Sequence, residues 1–133
     1  MAAKASWFME DHVILIELRD TVTLDEMRRL NDEMMKLLEN ITQPIHIIRD
    51  LTGVEKVPAD HWSGMPDVMR FLKNPKVGYL VNVQNQTNRL LDIVMDFLCM
   101  VFQLHMVKVE TMSEAVDYLL ELDPALGEYF SAA

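Results

Sequence analysis

Three residues close together in the chain, Asp60, His61 and Ser63, combine an acid, a base and a hydroxyl, the side-chain types of a hydrolase. A relay from serine to base to acid requires the three side chains to point at one another. Neighbouring residues of a helical turn point in different directions, and no glycine-rich oxyanion loop accompanies the trio. We therefore predict no catalytic residues and interpret the trio as solvated residues at a helix start.

The four histidines, His12, His46, His61 and His105, lack the paired spacing with Cys, Asp or Glu that zinc sites use. We predict no metal site and no cofactor. His46 lies inside an apolar run, where a hydrogen-bonded core residue is more common than a pH-sensitive group. The single cysteine, Cys99, lies in an apolar context that is not typical of a reactive thiolate.

An apolar run over residues 45–49 ends at Asp50 and reads as a buried strand. The following Thr52-Gly53 lacks the further glycines and the Lys-Ser/Thr pair of a phosphate-binding loop, so we interpret Gly53 as a turn residue. Ligands and partners of open α/β sheets usually bind just past the carboxyl ends of the strands. The predicted recognition loop and helix start therefore comprise Asp50, Thr52, Gly53, Asp60, His61 and Ser63.

The chain has 133 residues and a net charge of -9. Its length suits a single domain over residues 1–133. The acidic balance and the lack of a basic cluster argue against nucleic acid and anionic membrane surfaces as partners. Without a secretory signal or an apolar span of membrane length, we predict a cytoplasmic protein.

The elements that would position these residues alternate along the chain. Strands are predicted over residues 7–10, 13–18, 45–50, 77–83 and 106–109, and helices over 24–41, 58–72, 90–102 and from 112 onward. Thr23 and Thr111, each followed three residues later by Glu, predict the starts of two helices. The order ββαβαβαβα indicates an α/β domain with helices packed on a mixed sheet.

The predicted helix over residues 90–102 is apolar almost all round, so one covering surface is not enough for it. Three alternatives could cover its other side. They are a second copy in a homodimer, a small apolar, lipid-like ligand held by a carrier or sensor, and the segment over residues 124–133. We favour the homodimer. The candidate dimer or ligand surface consists of Leu91, Val94, Met95, Leu98, Val101 and Phe102.

The early hairpin, the strand ending in Asp50 and the capped last helix beginning Thr111-Met112-Ser113-Glu114 resemble the STAS domain of SpoIIAA-like anti-sigma-factor antagonists. The resemblance covers nearly the whole chain. It implies a non-enzymatic regulatory module that binds a protein partner. It also implies a phosphorylatable serine after the Asp50 strand, but Asp60 stands near that place and Ser63 is a weak substitute. Asp60 is either a phosphate mimic or an ordinary helix N-cap, and the N-cap is the more common role of such a residue.

Overall fold

A single mixed sheet forms the centre of the protein. The computed structural model describes residues 3–56, 70–84, 92–93, 96–97, 99–100, 103 and 105–127. The five strands are β1 (Ala3–Met9), β2 (Val13–Thr21), β3 (Ile45–Lys56), β4 (Val77–Val83) and β5 (Met106–Val109), and they lie in the order β1-β2-β3-β4-β5. β1 is antiparallel to β2, and every other neighbouring pair is parallel. The predicted mixed α/β sheet is confirmed.

Two helices begin at the threonines that predicted them, α1 (Leu24–Leu38) and α2 (Met112–Leu122). The Thr23 hydroxyl accepts the Glu26 backbone N–H at 3.2 Å, and the Thr111 hydroxyl accepts that of Glu114 at 3.1 Å. The two glutamates have other partners: Glu26 pairs with Arg29 at 2.9 Å, and Glu114 accepts the Glu110 N–H at 3.3 Å. Each helix start is thus held by its threonine.

Thr23→Ala and Thr111→Ala should each lower the free energy of unfolding by about 1 kcal/mol, because each leaves a helix N–H without its acceptor. Urea denaturation followed by circular dichroism measures the loss. Thr→Ser at the same positions keeps the hydroxyl and should retain most of the stability. A serine variant as unstable as the alanine variant would contradict the capping role.

β3 is buried on both faces, as its isoleucine content predicts. Ile45 and Ile47 pack in the core under α1, whereas Ile48 packs on the other face with Ala115 and Leu119 of α2. All three isoleucines have no exposed surface. The central strand therefore joins two cores, one on each side of the sheet.

The prediction that the strand ends at Asp50 and turns at Gly53 is wrong. β3 continues to Lys56 because β2 continues to Thr21 and supplies backbone partners, with Gly53 opposite Arg19. No glycine in the described part of the chain has a positive φ. A Cβ on Gly53 would lie 3.2 Å from Cγ of Arg19, so this glycine permits close strand approach.

The remaining predicted helices are described only in part. Residues 58–69 lie outside the described residues, and Arg70–Lys73 forms a short 3-10 helix. Within 90–102, the described positions 92, 93, 96, 97, 99 and 100 are helical. A second 3-10 helix, Pro124–Leu126, follows α2. In the described part of the chain, no helix has the length and apolar character needed to cross a lipid bilayer.

Candidate functional site

A polar cleft of about 370 Å³ lies where β4 and β5 end. One wall is the sheet and the other carries three residues of the helical segment between these strands. We call it the carboxyl-edge cleft, and it is lined by Asn82, Gln84, Asp92, Asp96, Cys99, Met106, Val107 and Lys108. Its position at the carboxyl ends of parallel strands is where open α/β sheets bind their ligands.

A buried arginine lies next to this cleft. Side chains of a strand alternate between faces, so Arg49 shares the α1 face of β3 with Ile47 and Leu51. The parallel register places Arg49 opposite Asn82 of β4. With only 1% of its surface exposed, Arg49 is embedded in the sheet layer rather than extended into solvent.

Arg49, Asn82 and Met106 form a network across three neighbouring strands. Arg49 Nε donates to Asn82 Oδ1 at 2.9 Å, and its Nη2 donates to Met106 Sδ at 3.4 Å. Asn82 Nδ2 also donates to Met106 Sδ, at 2.8 Å. The network fixes the orientation of the Asn82 amide that lines the cleft.

Burial sets the electrostatics of the site. It lowers the pKa of Arg49 to about 10, against a smaller opposing effect of Cys99. Burial also raises the pKa of the Cys99 thiol, although the positive charge of Arg49 works in the other direction. Cys99 is therefore a protonated thiol at neutral pH, which is a weak nucleophile.

Charged groups of both signs lie around the cleft. Lys108 Nζ lies 3.6 Å from Asp92 Oδ1, and Asp96 lies one helical turn further along. Among the residues that the structure describes, no group of three or more His, Cys, Asp and Glu is arranged to hold a metal ion. The arrangement suits hydrogen bonding to a polar group of a ligand or a partner protein.

The predicted recognition residues only partly fall on described positions. Asp50 Oδ1 accepts the Thr52 N–H at 3.0 Å and the Thr52 hydroxyl at 2.6 Å, so the two residues form a local pair within β3. Thr52 and Gly53 are exposed. Outside the described residues lie Asp60, His61 and Ser63, and the predicted apolar surface Leu91, Val94, Met95, Leu98, Val101 and Phe102.

Arg49, Asn82 and Gln84 were not among the site residues predicted from the sequence. The available signal was polar residues interrupting otherwise apolar strands, Arg49 inside the run over 45–51 and Asn82 inside the run over 77–83. Because both runs are buried, such interruptions predict hydrogen-bonded polar partners. Which strand supplies the partner depends on the register, which the sequence does not state.

The overall fold is shared with solved structures. The chain superposes on the anti-sigma factor antagonist SpoIIAA in its unphosphorylated form with a TM-score of 0.60 and 14% identity, over 89% of this chain and 96% of that chain. The fold is SpoIIAA-like. The predicted STAS-like architecture is thereby confirmed.

Two further structures share the SpoIIAA-like fold. An uncharacterised protein of the DUF3478 family from Shewanella loihica PV-4 gives a TM-score of 0.62 and 15% identity, covering 89% of this chain and 92% of that chain. The phosphorylated form of SpoIIAA, a Bacillus cell fate determinant, gives 0.58 and 13%, covering 89% and 99%. The sequence matches no protein-family model and no curated protein.

Proposed function

We propose that this chain is a STAS-like regulatory module that acts by binding proteins in the cytoplasm and has no enzymatic activity. The SpoIIAA-like fold supports the proposal, because SpoIIAA is an anti-sigma factor antagonist and thus acts on another protein. The local chemistry agrees with it. Cys99 is a protonated thiol, and Arg49 Nε donates a hydrogen bond to Asn82 Oδ1.

We further propose that the module is a homodimer whose contact is the apolar segment over residues 90–102. The observation that carries this proposal is the exposure of Ile93 and Met100, whose surfaces are 47% and 72% exposed. Seven residues apart, they lie on one side of a helix. The predicted surface did not contain these two residues, although both belong to the predicted apolar helix.

A second copy is the occupant we favour for this exposed apolar side. Large apolar side chains that cluster on a surface are typical of interfaces, and closed two-fold pairs are the commonest assemblies. A two-fold contact needs only one apolar patch, because the same patch serves both protomers. The fold and the exposed side chains are thus explained together by a dimeric interaction module.

Light scattering coupled to size-exclusion chromatography tests the proposal on the wild-type chain. The monomer mass is 15.4 kDa, and we expect twice that value. A bare monomer would contradict the dimer. A monomer that carries extra mass in native mass spectrometry would contradict it too, and would favour the carrier of an apolar ligand.

The proposed module does not depend on a phosphoserine, because Asp60 stands near the place that the resemblance assigns to one. Asn caps a helix about as well as Asp but carries no charge. For an N-cap, Asp60→Asn should therefore change the free energy of unfolding by less than about 0.5 kcal/mol, whereas Asp60→Ala should cost about 1 kcal/mol. Urea denaturation compares the two variants. Equal losses in both would show that the charge at this position contributes to stability, which would contradict a role as an N-cap alone.

A further inference from the structure

A second cleft, of about 390 Å³, lies at the opposite edge of the sheet, where β3 begins. It is lined by His12, Gln43, Pro44, His46, Asp123, Ala125 and Leu126. His46 forms its inner part and has only 14% of its side chain exposed. The proposed interaction function does not use this largely buried histidine.

His46 fills a defect in the pairing of β3 with β4. Ile45 stands opposite Val77 and Ile47 opposite Leu80, so two residues of β4, Gly78 and Tyr79, face one residue of β3. Such a bulge interrupts the backbone ladder. The Tyr79 N–H donates instead to Nδ1 of the His46 ring, at 3.2 Å. The imidazole thus takes the place of a backbone carbonyl.

Gly78 allows the ring to approach the strand this closely. A Cβ at Gly78 would lie 3.0 Å from Nδ1 of His46 and 3.0 Å from the Ile45 carbonyl oxygen. Both distances are shorter than ordinary van der Waals contact. The glycine, the bulge and the histidine therefore form one arrangement.

The hydrogen bond fixes the tautomer of His46. Nδ1 accepts the Tyr79 N–H, so the proton of the neutral ring is on Nε2, which lies 3.9 Å from Oδ2 of Asp123. A second proton can bind only at Nδ1. Two N–H groups would then face each other, and the hydrogen bond from Tyr79 would be lost.

The groups around His46 have opposing effects on its protonation. His12, from the turn between β1 and β2, disfavours a positive charge, and Asp123, at the end of α2, favours it. The Tyr79 ring lies 5.8 Å away, followed by the His105 ring at 5.5 Å from Tyr79. Burial is the largest effect, and it lowers the pKa of His46 from its ordinary value of 6.5.

We propose that His46 is a proton-sensitive latch: protonation at Nδ1 releases the Tyr79 amide and opens the amino end of the β3–β4 pair. The native state binds this proton less tightly than the unfolded state. The stability that the latch contributes is therefore complete above pH 6.5 and falls as the pH drops below that value. The change is local to the bulge, because Val81, further along β4, pairs regularly with Ile48.

Amide hydrogen exchange of the full chain, followed by NMR between about pH 7.5 and about pH 5, tests the latch. Below pH 6.5, the protection of the Tyr79 amide should fall with the pH, by at most about tenfold per pH unit, after correction for intrinsic exchange. The Val81 amide serves as the internal reference and should keep its protection. Equal pH dependence of both amides, or constant protection of Tyr79, would overturn the proposal.

His46→Asn is the matched variant, because the asparagine Oδ1 can accept the Tyr79 N–H in place of Nδ1 and does not titrate. In this variant the protection of Tyr79 should be independent of pH, whereas the control His105→Asn should behave as the wild type. A pH dependence that survives in His46→Asn would refute the latch. If His46→Asn does not fold, the wild-type ¹⁵N resonance of Nδ1 decides, since it must change at the same pH as Tyr79 protection.

Discussion

Arg49→Ala is expected to lower the free energy of unfolding by about 3–5 kcal/mol. The side chain is buried between strands, so its removal opens a cavity within the core layer that contains Ile47 and Leu51. It also removes the donor to Asn82 Oδ1 and one of the two donors to Met106 Sδ. The loss of packing and the loss of hydrogen bonds act in the same direction.

Arg49→Met separates these two contributions. Methionine fills much of the volume of the arginine stem but carries no charge that must be buried, and replacing buried charges by apolar residues is often neutral or stabilising. The Asn82 amide lines the open carboxyl-edge cleft, where water can replace the lost donor. We therefore expect the methionine variant to be at least about 2 kcal/mol more stable than the alanine variant.

Guanidinium chloride denaturation of the three proteins, followed by tryptophan fluorescence, measures the difference. Asn82→Ala is a useful companion, because it leaves the charge of Arg49 buried without its partner at 2.9 Å and should also be strongly destabilising. Equal stability of Arg49→Ala and Arg49→Met would contradict a packing role. A loss below about 1 kcal/mol in Arg49→Ala would contradict the burial itself.

Local signals in the sequence predicted the starts of α1 and α2 and the bounds of two strands well. Thr23 and Thr111 cap helices through hydrogen bonds that span only three residues, so no distant partner is needed. The bounds of β4 and β5 were also predicted, because each is a short apolar run between polar segments. These features depend on neighbours in the chain.

Features that depend on distant partners were not predictable in the same way. β3 extends past Asp50 only because β2 supplies backbone partners for it, and Gly53 is a site of close approach rather than a turn. The hydrogen bond between Arg49 and Asn82 joins residues 33 positions apart. Both clefts arise from the register of the sheet, which a list of apolar and polar positions does not contain.

The described side chains of the helical segment between β4 and β5 do not face the way that its apolar sequence predicted. The apolar helix predicted contact with the sheet, yet three polar or weakly polar residues of it, Asp92, Asp96 and Cys99, face the carboxyl-edge cleft. Ile93 and Met100 are exposed instead. The exposure of these two apolar side chains is the basis for the proposed dimer.

Ile93→Glu and Met100→Glu, separately and combined, are expected to convert the proposed dimer into a folded monomer. Each substitution would place a carboxylate in the apolar contact, and the two-fold symmetry would repeat it on the other protomer. Burying an unpaired charge costs several kcal/mol, which exceeds what a small interface can offset. Because both side chains are exposed within the protomer, the fold should be retained and circular dichroism should be unchanged.

The solution masses of wild type, Met100→Glu and Met35→Glu, measured by light scattering at equal concentration, decide whether the chain dimerises through Met100. Met35 is the matched control, since it is an exposed methionine on α1, with 43% of its surface accessible. We expect wild type and Met35→Glu to have twice the 15.4 kDa monomer mass and Met100→Glu to have the monomer mass. The same mass for all three proteins would contradict a dimer formed through the exposed apolar segment.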